Sequence, residues 1–182
     1  MRGTLNRSAM PDRPVILTGF MGSGKSSVGK VLAEFLSCRF IDLDAEIVEE
    51  AGLSINEIFA RDGEDAFRLL ESARLERILS AGDLCVIATG GGVVISQQNR
   101  ELMRKSGVTV NLKVTLEQVL DRLQGCNDRP LFAGEKAPDL VRALMDGREH
   151  YYADADIRID TGGKSVEDVA IEILSHLMRF FS

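Results

Sequence analysis

Short apolar runs alternate along this chain with longer stretches in which apolar residues recur every three or four positions. The first kind of pattern predicts buried strands and the second amphipathic helices. Strands are expected at residues 14–18, 39–42, 84–89, 108–113 and 156–160, each short and rich in β-branched or apolar side chains. Helices are expected between them, at 25–36, 45–50, 55–60, 64–80, 97–105, 116–123, 138–152 and 166–180. Several starts carry their own signal. Ser54 and Glu57 have the spacing of a capping box, and Ser96, Thr115 and Ser165 stand where N-caps belong; Pro138 opens the helix at 138–152. Strands that alternate with helices need crossover connections, so the expected architecture is a five-stranded parallel sheet covered by helices on both faces, α/β/α in three layers.

The sequence GFMGSGKSSVGK sits at the carboxyl end of the first expected strand and runs into a helix. In that context Gly19 through Gly24, Lys25 and Ser26 fit the phosphate-binding pattern G-x-x-x-x-G-K-[ST]. Glycines let the backbone curl so that several N–H groups converge, and the helix adds its positive end. Gly22, Ser23, Gly24, Lys25, Ser26 and Ser27 are therefore candidate nucleotide contacts, with Lys25 on the β- and γ-phosphates and the Ser26 hydroxyl on Mg²⁺. In FIDLDAEI, Asp42 and Asp44 lie two apart at a strand end, which in extended geometry points both toward the crevice. Asp42 would hold Mg²⁺ through water; Asp44 would accept a substrate hydroxyl and help take its proton, or else simply cap the next helix.

Other residues narrow the chemistry. Arg68 and Glu71 are spaced i, i+3 on one helix, a surface ion pair on the plainest reading. Gly90, Gly91 and Gly92 close a strand, where three glycines together imply a close backbone approach. Arg129 lies in the polar stretch 124–137, which reads as a mobile flap, and Arg148 lies late in the helix at 138–152.

Composition bounds the partners. Of 182 residues, 45% are hydrophobic and 27% charged, as in ordinary globular proteins, and residues 14–182 read as one domain behind a disordered arm at 1–13. Acidic residues outnumber basic ones, 28 to 22, which argues against a general nucleic-acid surface. Cys38, Cys85 and Cys126 have no metal or disulfide spacing: Cys85 reads as core, Cys38 as a helix end, Cys126 as loop. No apolar run approaches membrane-spanning length. A cytoplasmic monomer acting on small molecules, without nucleic acid or membrane, is the expectation. An Asn-Lys-x-Asp guanine motif is missing, which disfavours a GTP switch.

Taken in order, GFMGSGKSSVGK, DLD, SINEIFARDGEDAFRLLE, ATGGG, DRPL and REHYYADAD resemble the shikimate kinases, small P-loop NTPase-fold enzymes of the nucleoside-monophosphate-kinase type. The resemblance implies ATP-dependent phosphorylation of the 3-hydroxyl of shikimate, on the route to chorismate and the aromatic amino acids, with Mg²⁺. It also implies site residues: Asp44, Arg68, Gly90, Gly91, Gly92 and Arg148 on shikimate, with Phe59 and Glu71 lining the same pocket. Arg129 would be a lid arginine meeting the phosphates, catalytic together with Lys25 and Asp44, and Arg122 would lie against the adenine. Kinases of gluconate, nucleoside monophosphates or adenylylsulfate share the loop, but give no reason for Arg68, Glu71, the glycines and Arg148 together. Two positions depart from the family pattern. Thr161-Gly162-Gly163-Lys164 stands where many members place a proline against the adenine, and His150 stands where a proline is common, a local change in helix ending.

Overall fold

The computed structural model describes residues 11–123 and 137–181. The arm expected at 1–13 lies outside the described residues through residue 10, as does the flap expected at 124–137 through residue 136, with Cys126 and Arg129 in it. Five strands form one parallel sheet: β1 (Val15–Thr18), β2 (Arg39–Asp42), β3 (Cys85–Ala88), β4 (Val108–Lys113) and β5 (Ile157–Asp160), in the order β2-β3-β1-β4-β5. Seven helices occur among the described residues: α1 (Lys25–Leu36), α2 (Leu43–Ala51), α3 (Ile55–Ser80), α4 (Gln97–Ser106), α5 (Leu116–Leu123), α6 (Ala137–Tyr152) and α7 (Val166–Phe180). No helix among them is long and apolar enough to cross a membrane.

Both faces of the sheet are buried, which is why its strands read as nearly unbroken apolar runs. Side chains alternate between the two cores. Ile16 and Ile87 face one layer with Ile58, Leu75 and Met103; Val15, Leu17 and Val86 face the other with Leu32 of α1 and Ile173 of α7. Close packing of α1 on the sheet depends on Gly29: a Cβ there would meet the Phe40 ring at 2.5 Å and Leu17 at 3.2 Å. Because β1 lies between β3 and β4, the chain leaves it in one direction to build β2 and β3 and later returns on the other side. The carboxyl end of β1 is thus the topological switch point, where ligands of open parallel sheets bind.

Local chemistry sets the element ends. Ser54 and Glu57 form the expected capping box, and Ser96 and Ser165 cap α4 and α7. The two helices expected at 55–60 and 64–80 run on as α3 but break at Gly63, whose φ of 85° is left-handed and suits glycine. One expectation is corrected. The cap of α2 is Asp42, whose Oδ1 accepts from Ala45 N at 3.3 Å; Asp44 sits inside the first turn. The strand stops at Asp42, so period-two alternation does not carry on to Asp44, and the two carboxylates do not share a strand face. Helix geometry beginning at Leu43 directs Asp44 instead.

Candidate active site

The loop after β1 curls through glycines with positive φ, Gly19 at 147°, Gly22 at 73° and Gly24 at 90°. Gly24 is the cap residue of α1, without a side-chain cap bond and with no acidic residue in the first turn. Its free helix start suits an anion. Lys25 is buried in the loop, its Nζ donating to Gly19 O at 2.8 Å, Phe20 O at 3.0 Å and Ser23 Oγ at 3.3 Å. Ser26 Oγ donates to Asp42 Oδ2 at 2.6 Å, so Asp42 ties the cap of α2 to the first turn of α1. Arg122, at the end of α5, donates to the carbonyl of Gly22.

The second loop follows β3. Thr89 fastens its start to β1, just before the phosphate loop: Thr89 N and Oγ1 both donate to Leu17 O, at 3.1 and 2.9 Å. Gly90, Gly91 and Gly92 then turn into a 3₁₀ segment, Val93–Ile95, closed by Val93 N to Gly90 O and Ile95 N to Gly92 O. No Cβ fits without displacement at two of these glycines. At Gly90 it would stand 2.6 Å from Glu71 Oε1 and 2.8 Å from Asp44 Oδ1, and at Gly92 it would collide with the Arg68 guanidinium. At Gly91 it would stand 3.3 Å from Met21 N, so the triple-glycine turn abuts the phosphate loop itself.

Around this turn gather Asp44 of α2, Arg68 and Glu71 of α3, and Arg148 of α6. Arg68 and Glu71 are not the surface pair their spacing suggested, because Glu71 is fully buried. Arg68 Nη1 donates to Glu71 Oε2 at 2.8 Å, while Nη2 donates to Glu64 at 3.1 Å. Burial pushes the Glu71 carboxyl above its usual range; Arg68 pulls it back, and the nearby Asp44 adds to the upward push. The Arg68 guanidinium lies 5.3 Å from the Phe67 ring centre, and Phe67 in turn packs on Phe59 at 4.9 Å. Arg148 reaches the Gly91 carbonyl at 3.4 Å and lies 5.9 Å from the Phe20 ring centre. Arg74 ties α3 to α2 through Glu46 and, at 2.8 Å, Glu50, holding Asp44's helix against that of Arg68.

One residue of this cluster escaped the sequence reading. Tyr152, buried at the end of α6, donates its hydroxyl to the Gly91 carbonyl, and burial pushes that hydroxyl up to about 12. A signal existed, for Tyr152 lies four residues after Arg148 and so shares its helix face. His150 does not end α6, which runs on to Tyr152, and its ring lies 3.8 Å from that of Tyr151. In the loop after β5, Thr161 is buried and donates to Lys113 O at 3.0 Å, while Gly162 N donates to Asp160 at 2.8 Å.

A phosphate-binding loop at the switch point of a five-stranded parallel sheet, with a basic and acidic pocket directly beside it, defines a P-loop kinase of a small acceptor. The shikimate kinase family model matches residues 21–178. A shikimate kinase of Geobacter sulfurreducens is 57% identical over 176 residues, covering 95% of this chain and 96% of its own length. One of Geobacter metallireducens is 56% identical over 165 residues, covering 91% of this chain and 92% of its own. Among solved structures, shikimate kinase from Acinetobacter baumannii in complex with shikimate superposes with a TM-score of 0.87 at 35% identity, covering 92% of this chain and 94% of that one. The chain belongs to the shikimate kinase family, ATP-dependent enzymes that convert shikimate to shikimate 3-phosphate.

Proposed function

We propose that the two abutting loops divide the work of that reaction between them. The supporting observation is the contact of the triple-glycine turn with the phosphate loop, since phosphoryl transfer needs donor and acceptor oxygens in line and nearly touching. Amides of Gly22, Ser23, Gly24, Lys25, Ser26 and Ser27 receive the phosphates of ATP. Lys25 gives up contacts to the loop's own oxygens for the phosphate oxygens, and Arg122 borders the nucleotide. Arg129, from a lid at about 124–137 on a single kinase domain, adds charge at the moving group.

Across the boundary Arg68 and Arg148 grip the carboxylate of shikimate, and the amides of Gly90, Gly91 and Gly92 with Asp44 receive its oxygens. Phe59 and Glu71 shape the pocket. The 3-hydroxyl oxygen attacks the γ-phosphorus, the bond to the β-phosphate oxygen breaks to release ADP, and Asp44 receives the hydroxyl proton.

Ser26 and Asp42 fit Mg²⁺. Their oxygens are hard donors held 2.6 Å apart beside the phosphate loop, and Mg²⁺ is typically bound by one or two such groups, with water and phosphate oxygens completing its shell. Among the described residues no group of three or more His, Cys, Asp or Glu would hold a cation alone. When bound, the ion neutralises phosphate charge; Ser26 would ligate it directly and Asp42 through water. Asp42→Asn is expected to raise the Mg²⁺ concentration for half-maximal rate about 10-fold or more, with a much smaller change in KM for shikimate. Parallel changes in both constants would remove Asp42 from the metal site.

We further propose a cytoplasmic monomer, on the ground of its composition. The direct test of the whole reading is ADP formation by the purified protein with Mg²⁺-ATP and a panel of acceptors. Turnover is expected with shikimate and not with gluconate or AMP, and no turnover with shikimate would end the assignment.

A further inference from the structure

Every carbonyl from Gly90 through Ile95 has a donor. Gly90 and Gly92 are served by backbone N–H groups, while Val93 accepts from the Asn99 side chain at 3.3 Å, and Val94 and Ile95 from Arg100 at 2.6 and 3.0 Å. The Gly91 carbonyl accepts from the Tyr152 hydroxyl and from Arg148. By contrast, the N–H groups of Gly90, Gly91 and Gly92 find no acceptor among the described residues, although Gly90 and Gly92 are buried. Buried donors of that kind are costly unless a partner is supplied. A trans peptide is planar, so the Gly91 C=O and the Gly92 N–H of one unit point in opposite directions. Whatever holds the carbonyl therefore also aims the amide, and at glycine there is no side chain to do it.

We infer that Tyr152 is a positioning residue for the acceptor. Its hydroxyl locks the Gly91–Gly92 peptide so that the Gly92 N–H is presented to the bound hydroxy acid. It also shares the Gly91 carbonyl with Arg148, so that when Arg148 turns to the carboxylate of the acceptor the carbonyl keeps a donor. The ring is buried and fixed from α6, one helical turn beyond Arg148, so the turn and the guanidinium are registered by the same helix. This inference rests on the proposed acceptor pocket.

Tyr152→Phe removes one oxygen and keeps the ring. Expected are a rise of about 10-fold in KM and in the directly titrated Kd for shikimate, equivalent to about 1.4 kcal/mol, with kcat at saturation and KM for ATP within about two-fold of the parent. The amide resonance of Gly92 should shift and exchange faster with solvent. A purely structural tyrosine would instead lower Tm without separating KM from kcat. Unchanged shikimate affinity, or equal losses for shikimate and ATP, would overturn the inference. Arg148→Ala, measured alongside, separates the two levels: if it weakens shikimate binding and Tyr152→Phe does not, the positioning role alone fails. If Arg148→Ala also leaves binding unaltered, the acceptor pocket itself is misplaced.

Discussion

Lys25→Met is expected to lower kcat by about 10²–10³ while shikimate affinity stays within about two-fold. The side chain is buried in the phosphate loop, where its Nζ donates to Gly19 O, Phe20 O and Ser23 Oγ. Methionine has nearly the same length and is apolar, so it fills the same space. What disappears is a positive charge preorganised in a site of low polarity, where it acts on charge that grows in the transition state. The three loop oxygens lose a donor, which costs about 1–3 kcal/mol for each that stays dry and unsatisfied. Rapid-quench single turnovers measure the chemical step, and calorimetric titration measures shikimate binding. A kcat within ten-fold of the parent would remove Lys25 from the chemistry.

The second large effect falls on stability and binding together. Arg68→Ala leaves the fully buried Glu71 carboxylate without the guanidinium that meets it at 2.8 Å, and breaking a buried pair from one side costs about 3–5 kcal/mol. Shikimate affinity is expected to fall about 100-fold, because one of the two forks for its carboxylate is gone. The stability loss depends on pH. Burial already raises the Glu71 carboxyl above its unfolded value, and removing Arg68 raises it further. A carboxyl whose folded-state value is raised keeps its full stability contribution below the unfolded value and loses it as pH rises through the folded value. The deficit should therefore be small near the acid end of the folded range and grow toward neutral and alkaline pH. Urea unfolding at two pH values measures it; an equal deficit at both would show that Glu71 stays ionised without Arg68. Adding Glu71→Gln to Arg68→Ala should recover most of the stability and none of the shikimate binding, since an amide needs no countercharge but grips no carboxylate.

These effects also explain how unevenly the site was legible. The phosphate loop is encoded locally: a strand, glycines at the positive-φ positions, a lysine and a helix start all lie within a dozen residues, so spacing alone carries the chemistry. The same holds for the capping box at Ser54, the cap at Ser165 and the boundaries of α1, β2, β4, α5 and α7. The acceptor pocket is different. Arg68 and Glu71 at i, i+3 look like any exposed ion pair until α3 is packed against the sheet and Glu71 is seen to be buried under the turn at Gly90. Only their likeness to a family signature gave them weight in the sequence. The cap of α2 is Asp42 and not Asp44 because α2 starts two residues sooner than expected, a matter of which carboxylate reaches the amide of Ala45.

The sequence by itself determined the parallel α/β class, the phosphate loop and the identity of the family, because periodicity, glycine placement and a run of ordered motifs are properties of the chain read in one dimension. Tertiary structure alone decided the strand order, the contact between the loops after β1 and β3, the burial of Glu71 and the reach of Tyr152 to Gly91. Those depend on the register β1↔β3 and on the seating of α3 and α6, and residues dozens of positions apart, such as Thr89 with Leu17 and Tyr152 with Gly91, come within hydrogen-bond range. Hydrogen bonds and charge interactions act over a few ångströms, and sequence separation does not measure that distance.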